Sequence, residues 1–317
     1  MTRSRLLRAL STGAGVIGFT VAVVLTFRDA EARRLVGELT VPAVLLLLAL
    51  QAFRVLLESL RYRMVVPDRY RSVIPVSTWH WVFAVGRLLN MVVPQMGTAY
   101  RATHLRLGHG LPVSSFIGTT FVITWLGNGF ATLVAGVIVV TANVTAGLAL
   151  MVFGVIVVAA VSLLLPRLGE WIRSRGERSG GRLIRLAQGV LDGSTDLRRR
   201  RRLALMLFMS ILSQVVGLVT YGAVCLALDV EDPWLTAAVL FAALTVASTV
   251  SLTPGGLGIS EAIAGLTGSL LGLGAGVGVV IALVMRITGT LIVAALAVAA
   301  AIAGARRSAI TSPSDDR

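Results

Sequence analysis

Six stretches of about 18 or more mostly apolar residues constrain this chain more than any other feature: Ala9 to Phe27, Leu39 to Leu57 (interrupted by Arg54), Val113 to Val140, Ala146 to Leu165, Leu203 to Leu228 and Val277 to Ala303. Each is long enough to cross a hydrocarbon core of about 30 Å as a helix rising about 1.5 Å per residue. Composition closes the soluble alternative, because 56% of the residues are hydrophobic, 14% are charged and the mean hydropathy is +0.86. A water-soluble fold does not carry that balance. The chain reads as an all-α polytopic membrane protein, since helices satisfy every backbone polar group within the segment. Arg3, Arg5 and Arg8 precede the first run and "AEA" follows at Ala30, the pattern of a secretory leader. The apolar core is longer than a leader needs, which favours a retained span.

A net charge of +14 would point to nucleic acid in a soluble protein, yet here it describes threading, because cytoplasmic loops of membrane proteins concentrate basic residues. No nucleic-acid partner is implied. All 29 basic residues are Arg and none is Lys, a coding bias of a high-GC, bacterial genome. Cys225 is alone within an apolar run, so no intrachain disulfide or multi-cysteine metal site is available. His80, His104 and His109 lack metal-site spacing, and no metal or cofactor is expected.

The segment Arg167 to Arg202 carries 11 Arg against four acidic residues and is placed inside; Asp229, Glu231 and Asp232 form an Arg-free connection on the opposite face. Walking back through the 146–165 and 113–140 runs puts residues 94 to 112 on the cytoplasmic side. The loop at Arg61, Arg63, Arg69 and Arg71 belongs there too. Between the two lies Trp81 to Val93, whose 13 residues would reach only about 20 Å. It reads as one limb of a re-entrant hairpin that enters from the cytoplasm and turns at "VVPQMG". Similarly, Trp234 to Val250 descends from outside, breaks at "TPGG", and returns through the 13 residues Glu261 to Leu273. This arrangement leaves Arg28, Arg33 and Arg34 outside. The competing one makes both hairpins full crossings with the N-terminus outside, and strands seven Arg there.

Residues 40–140 then read as span, hairpin from inside, span, and residues 203–303 as span, hairpin from outside, span. That is an inverted repeat, a design in which substrate sites lie near the midplane where broken helices meet. One transmembrane domain is expected over 1–303, with the basic cytoplasmic loop 167–202 between the repeats and a disordered cytoplasmic tail over 304–317. Both termini face the cytoplasm of the inner (plasma) membrane. In "SLTPGGLGISEA", Pro254 ends a half-helix while Gly255, Gly256 and Gly258 permit positive φ and close approach. Ser260 and Glu261 open the next half-helix, whose positive end favours an anion.

"LLNMVVPQMGTAYRATHLRLGHGL" from Leu88 and "SLTPGGLGISEA" from Ser251 resemble the two signatures of the lysylphosphatidylglycerol synthase membrane-domain family, also described as flippase-like integral membrane proteins. The likeness covers most of the chain and includes the order of the motifs, the central basic loop and an arginine in the last span. It implies movement of phospholipids or polyprenyl-linked head groups between leaflets. In well-known members a soluble aminoacyl-transfer domain follows, and no such domain follows the last apolar run in this sequence. Asn90, Pro94, Gly97 and Arg101 match the first signature, and Pro254, Gly256, Gly258 and Glu261 the second. Thr98 stands where many members carry Glu.

Each of these residues also has a plain structural reading. Asn90 could bond carbonyls freed at the hairpin tip. Arg101 could hold a phosphate bidentately or snorkel to the head groups. Arg87 could cap the hairpin or line a cavity, and Arg54 and Glu58 form an ordinary i,i+4 pair. Trp79 and Trp81 read as an interfacial aromatic belt. Glu261 is the only acidic residue between Asp232 and Asp315, and Arg286, alone in the final span, is its expected partner. The expected function is transport of a lipid with an anionic head group. No nucleotide motif is present, so direct ATP coupling and enzymatic activity are not expected. The alternatives are an integral membrane transferase acting on lipid-linked substrates, or an accessory subunit that positions an envelope-biosynthesis enzyme.

Overall fold

The structure is a computed structural model that describes residues 24, 30–93, 95–164, 167, 200–249 and 256–311. The first apolar run (Val24 apart), nearly all of the basic loop, Pro94, Pro254 and Gly255 lie outside the described residues. Among the described residues all regular structure is helical: α1 (Ala30–Gly37), α2 (Val41–Val65), the single turn α3 (Asp68–Arg71), α4 (Val76–Val92), α5 (Met96–His109), α6 (Val113–Ala142), α7 (Val144–Ala159, continuing as a π-helical turn Ala160–Leu164), α8 (Arg200–Ala227), α9 (Pro233–Thr249), α10 (Ile259–Leu270) and α11 (Ala275–Thr311). Five apolar helical stretches among the described residues are long enough to cross a membrane, Val41–Met64, Val113–Ala142, Val144–Leu163, Leu203–Ala227 and Ala275–Ala299.

Local chemistry explains the boundaries. Thr40 caps α2 by accepting the Ala43 N–H at 3.4 Å, with Pro42 in the first turn. The helix ends at Val65 because Val66 precedes Pro67 and is extended. Arg61 is therefore a residue of the helix interior, and its expected place in a cytoplasmic loop is corrected. α4 likewise begins at Val76, directly after Pro75, so this limb has 17 residues where 13 were expected. It would still reach only about 26 Å. Trp79 falls within it and is buried, donating its indole N–H to the Ser59 carbonyl at 2.7 Å. It belongs to the core, not to an aromatic belt. α11 runs on to Thr311, beyond the Ala303 boundary expected for the membrane domain.

Without water to expel, helices in lipid associate through close packing and interhelical hydrogen bonds, and the contacts here have that character. α6 and α7 form an antiparallel pair turned by Asn143, which ends one helix and caps the next by accepting the Ala146 N–H at 3.0 Å. Gly129 packs on Gly154 and Gly136 on Gly147; a methyl group at Gly136, Gly147 or Gly154 would strike the opposing backbone, and one at Gly129 the Val158 side chain. The main core joins α2, α6, α8, α9 and α11 through Leu47, Ala135, Leu218, Phe241 and Ile281. A second cluster of Val66, Trp79, Val82, Ala102, Leu105 and Phe116 seats the α4–α5 hairpin against the ends of α2 and α6. The outward faces are apolar, as Leu45, Leu46 and Phe53 on α2 illustrate.

Candidate functional site

The second half of α2 carries an inward polar stripe, beyond the buried Leu47. Gln51, Arg54, Glu58 and Arg61 follow one another at intervals of three, four and three residues, which stacks them on one helical stripe. Gln51 donates to the Met285 carbonyl of α11 at 3.2 Å. Glu58 receives two guanidinium groups: Arg54 Nε lies 3.3 Å from Oε1, and Arg87 Nη1 of α4 lies 2.6 Å from Oε2. Arg61, 3% exposed, crosses to α8 and α6, donating to Ser213 Oγ and to the Ile123 carbonyl, each at 3.2 Å.

Arg101 enters the same region from α5. Its guanidinium carbon sits 4.4 Å from the centroid of the Phe83 ring and 5.8 Å from that of Tyr62, and Nη2 donates to the Phe83 carbonyl at 3.2 Å. Only 7% of the residue is exposed, so it points into the protein and does not snorkel outward. Gly86 makes the space, because a Cβ there would fall on the Arg101 side chain. The hairpin tip is closed by Asn90, whose Oδ1 accepts the Gly97 N–H at 2.7 Å. Asn90 thus satisfies a freed donor, where a freed carbonyl was expected. Gly97 touches the Gly86 carbonyl so closely that no side chain fits. Thr98 lies one residue on and is partly buried.

The second hairpin brings the other expected residues together. Gly256 and Gly258 have φ of 70° and 80°, the left-handed region that glycine enters without strain. Glu261 is completely buried; its Oε2 accepts the Gly258 N–H at 2.7 Å and its Oε1 lies 2.7 Å from Arg286 Nη2. The expected Glu261–Arg286 pair is present. Aromatic rings join the two groups of charges. The Arg54 guanidinium lies 6.0 Å from the centroid of the Phe241 ring, which packs at 5.7 Å on Tyr221, and Tyr221 is within electrostatic reach of Arg54, Arg286 and Glu261.

An ionisable side chain at mid-membrane costs about 2.5–3.5 kcal/mol on insertion scales and faces a partner or a wet cavity. Here the ionisable side chains form two groups, one around Glu58 and one around Glu261, bridged by Phe241 and Tyr221. Of the residues expected from sequence, Asn90, Gly97, Arg87 and Arg101 meet at the first hairpin, and Gly256, Gly258, Glu261 and Arg286 at the second. Pro94 and Pro254 lie outside the described residues. Glu58, Arg61, Tyr62, Phe83 and Gly86 were not expected; the regular spacing of polar residues on an otherwise apolar α2 was the available signal. Among the described residues no three His, Cys, Asp or Glu side chains group as metal ligands would.

No curated protein and no solved structure shows significant similarity to the chain. The model of one family, described as the lysylphosphatidylglycerol synthase TM region, matches residues 12–297. With nearly its whole length matched, and with an all-helical membrane architecture, the chain belongs to the lysylphosphatidylglycerol synthase transmembrane-region family.

Proposed function

We propose that the protein moves a phospholipid or polyprenyl-linked lipid with an anionic head group between leaflets of the bacterial plasma membrane, without catalysing a covalent step. The observation that carries this reading is the inward-facing arginine group on α2, α4 and α5: the half-buried Arg54 and Arg87 share Glu58, and the buried Arg61 and Arg101 contact no carboxylate among the described residues. Guanidinium groups held in a low-dielectric interior bind phosphate oxygens bidentately and strongly.

The helix packing supports an inverted repeat in which α2, α4, α5 and α6 correspond to α8, α9, α10 and α11. Exchanging the two sets maps the contacts onto one another: α2 with α8 onto itself, α4 with α11 onto α9 with α6, α2 with α11 onto α8 with α6, and α4 with α5 onto α9 with α10. In this reading the two short hairpins are re-entrant, approach from opposite faces and meet at the charged interior, with both termini cytoplasmic. A head group approaching the cluster competes for arginines that now hold Glu58 and Glu261. A head group that displaces these carboxylates in one conformation more than in another shifts the equilibrium between them.

Reconstitution into liposomes with fluorescent phospholipids separates the possibilities. Movement of label between leaflets supports transport, a covalently altered lipid indicates a transferase, and neither result leaves a non-transporting accessory subunit.

A further inference from the structure

We infer that the arginine-lined interior takes a lipid whose head group carries two phosphate charges, in preference to a single-charged phosphodiester or a cationic aminoacylated lipid. The inference rests on the transport reading and narrows its substrate.

Charge balance at the site carries the argument. Arg54, Arg61, Arg87 and Arg101 all lie within electrostatic reach of Glu58. Two of them contact its carboxylate, at 3.3 and 2.6 Å. The other two are at most 7% exposed and are held by neutral groups: a serine hydroxyl and a carbonyl for Arg61, a carbonyl and two aromatic faces for Arg101. The remaining nearby acid, Glu261, is engaged by Arg286 at 2.7 Å. Among the described residues four guanidinium groups thus face one carboxylate, a surplus of three positive charges.

Mobile salt screens such a surplus at a surface but not inside a protein embedded in lipid. One phosphodiester charge would offset one of the three surplus charges, whereas two phosphate charges offset two and can reach Arg61 and Arg101 together; an aminoacylated phospholipid with net positive charge is repelled. The apolar part of the lipid has a place beside the cluster. A cavity of about 160 Å³ between α2, α4 and α11 is lined by Val55, Leu56, Ser59, Trp81 and Leu296, among others, one helical turn along α2 from Glu58. Leu56 is exposed and none of the four arginines lines this cavity, so it offers room to the tail and not to the head group.

Two lipid chemistries carry paired phosphates, a prenyl diphosphate and a diphosphatidylglycerol of the cardiolipin type. The full-length protein in neutral detergent micelles is titrated, at one ionic strength, with farnesyl diphosphate, cardiolipin, phosphatidylglycerol and lysylphosphatidylglycerol. At least one of the two-phosphate lipids is expected to bind about tenfold tighter than phosphatidylglycerol, the scale of one added charge-assisted contact. The tighter of the pair identifies the source, and lysylphosphatidylglycerol should bind weakest. The Arg61→Gln/Arg101→Gln double variant should lose the preference. If that variant does not fold, the wild-type order decides alone. Phosphatidylglycerol binding as tightly as both two-phosphate lipids overturns the inference, as does an undiminished preference in a folded double variant. Because no transport is measured, tight two-phosphate binding by a protein that moves no lipid would remove the transport reading while keeping this one.

Discussion

Oε1 of Glu261 lies 2.7 Å from Nη2 of Arg286, while Oε2 of the same carboxylate accepts the Gly258 N–H at 2.7 Å. One side chain therefore closes the start of α10 and ties that helix to α11. A Gln at this position can still accept from Gly258, but it leaves Arg286 with a diminished partner. Removing one member of a buried pair costs about 3–5 kcal/mol, whereas replacing both with apolar groups is often neutral. Glu261→Gln and Arg286→Met should each lower the thermal midpoint of the purified protein, and the double variant should lie above either single. A double variant less stable than both would show that the pair is not the contact being lost. If Arg286 also receives the head group, Glu261→Gln should not transport even at temperatures where it is folded; a wild-type rate would reduce the pair to a clamp.

The first hairpin makes a separate prediction about glycine. A methyl group on Gly97 would strike the Gly86 carbonyl, which is backbone, whereas one on Gly86 would strike the Arg101 side chain, which can move. Gly97→Ala should thus destabilise more than Gly86→Ala, for which about 1–3 kcal/mol is the usual cost of overpacking. Gly86→Ala should instead displace Arg101 and reproduce the transport defect of Arg101→Ala. Thermal unfolding and transport measured on both variants check the order; a Gly86→Ala protein that transports normally would mean that the Arg101 slot has no part in function.

How far these features were legible depends on whether the signal was local. The long helices followed from apolar length alone, and Glu261 with Arg286 could be paired because each was the lone charge in its segment. Pairing Glu58 with Arg87 needed a contact between helices 29 residues apart in sequence. The i,i+4 relation of Arg54 and Glu58 concealed it, because a satisfied local pair gives no reason to seek a third member. Arg61 was misplaced because a basic residue near the end of a span looks the same whether it anchors in the head groups or turns inward. The stacking of Gln51, Arg54, Glu58 and Arg61 on one stripe distinguishes the two. Trp79 was assigned to an interface by residue type, although its indole N–H needed a partner that a buried Ser59 carbonyl supplies.

The re-entrant arrangement predicts which residues water-borne reagents reach from each side. Val73, Val144 and Glu231 are exposed, and each accepts a single cysteine in a Cys225→Ala background. An impermeant thiol reagent applied to intact cells should label positions 144 and 231 but not 73, which should react only after permeabilisation. Labelling of position 73 from outside would replace the first hairpin with a full crossing and put the N-terminus outside.

The central claim is that the buried arginines act on the head group of a moving lipid. The most direct measurement is the rate at which fluorescent cardiolipin and fluorescent phosphatidylglycerol become accessible to a reductant outside proteoliposomes containing wild type, Arg101→Ala or Arg106→Ala. Arg106 lies on the same helix but is exposed, so it controls for loss of charge alone. The account predicts protein-dependent movement that falls about tenfold or more in Arg101→Ala, the scale of one lost charge-assisted hydrogen bond, and stays close to wild type in Arg106→Ala. Equal rates in all three proteins, or no movement above empty liposomes with wild type, would contradict it.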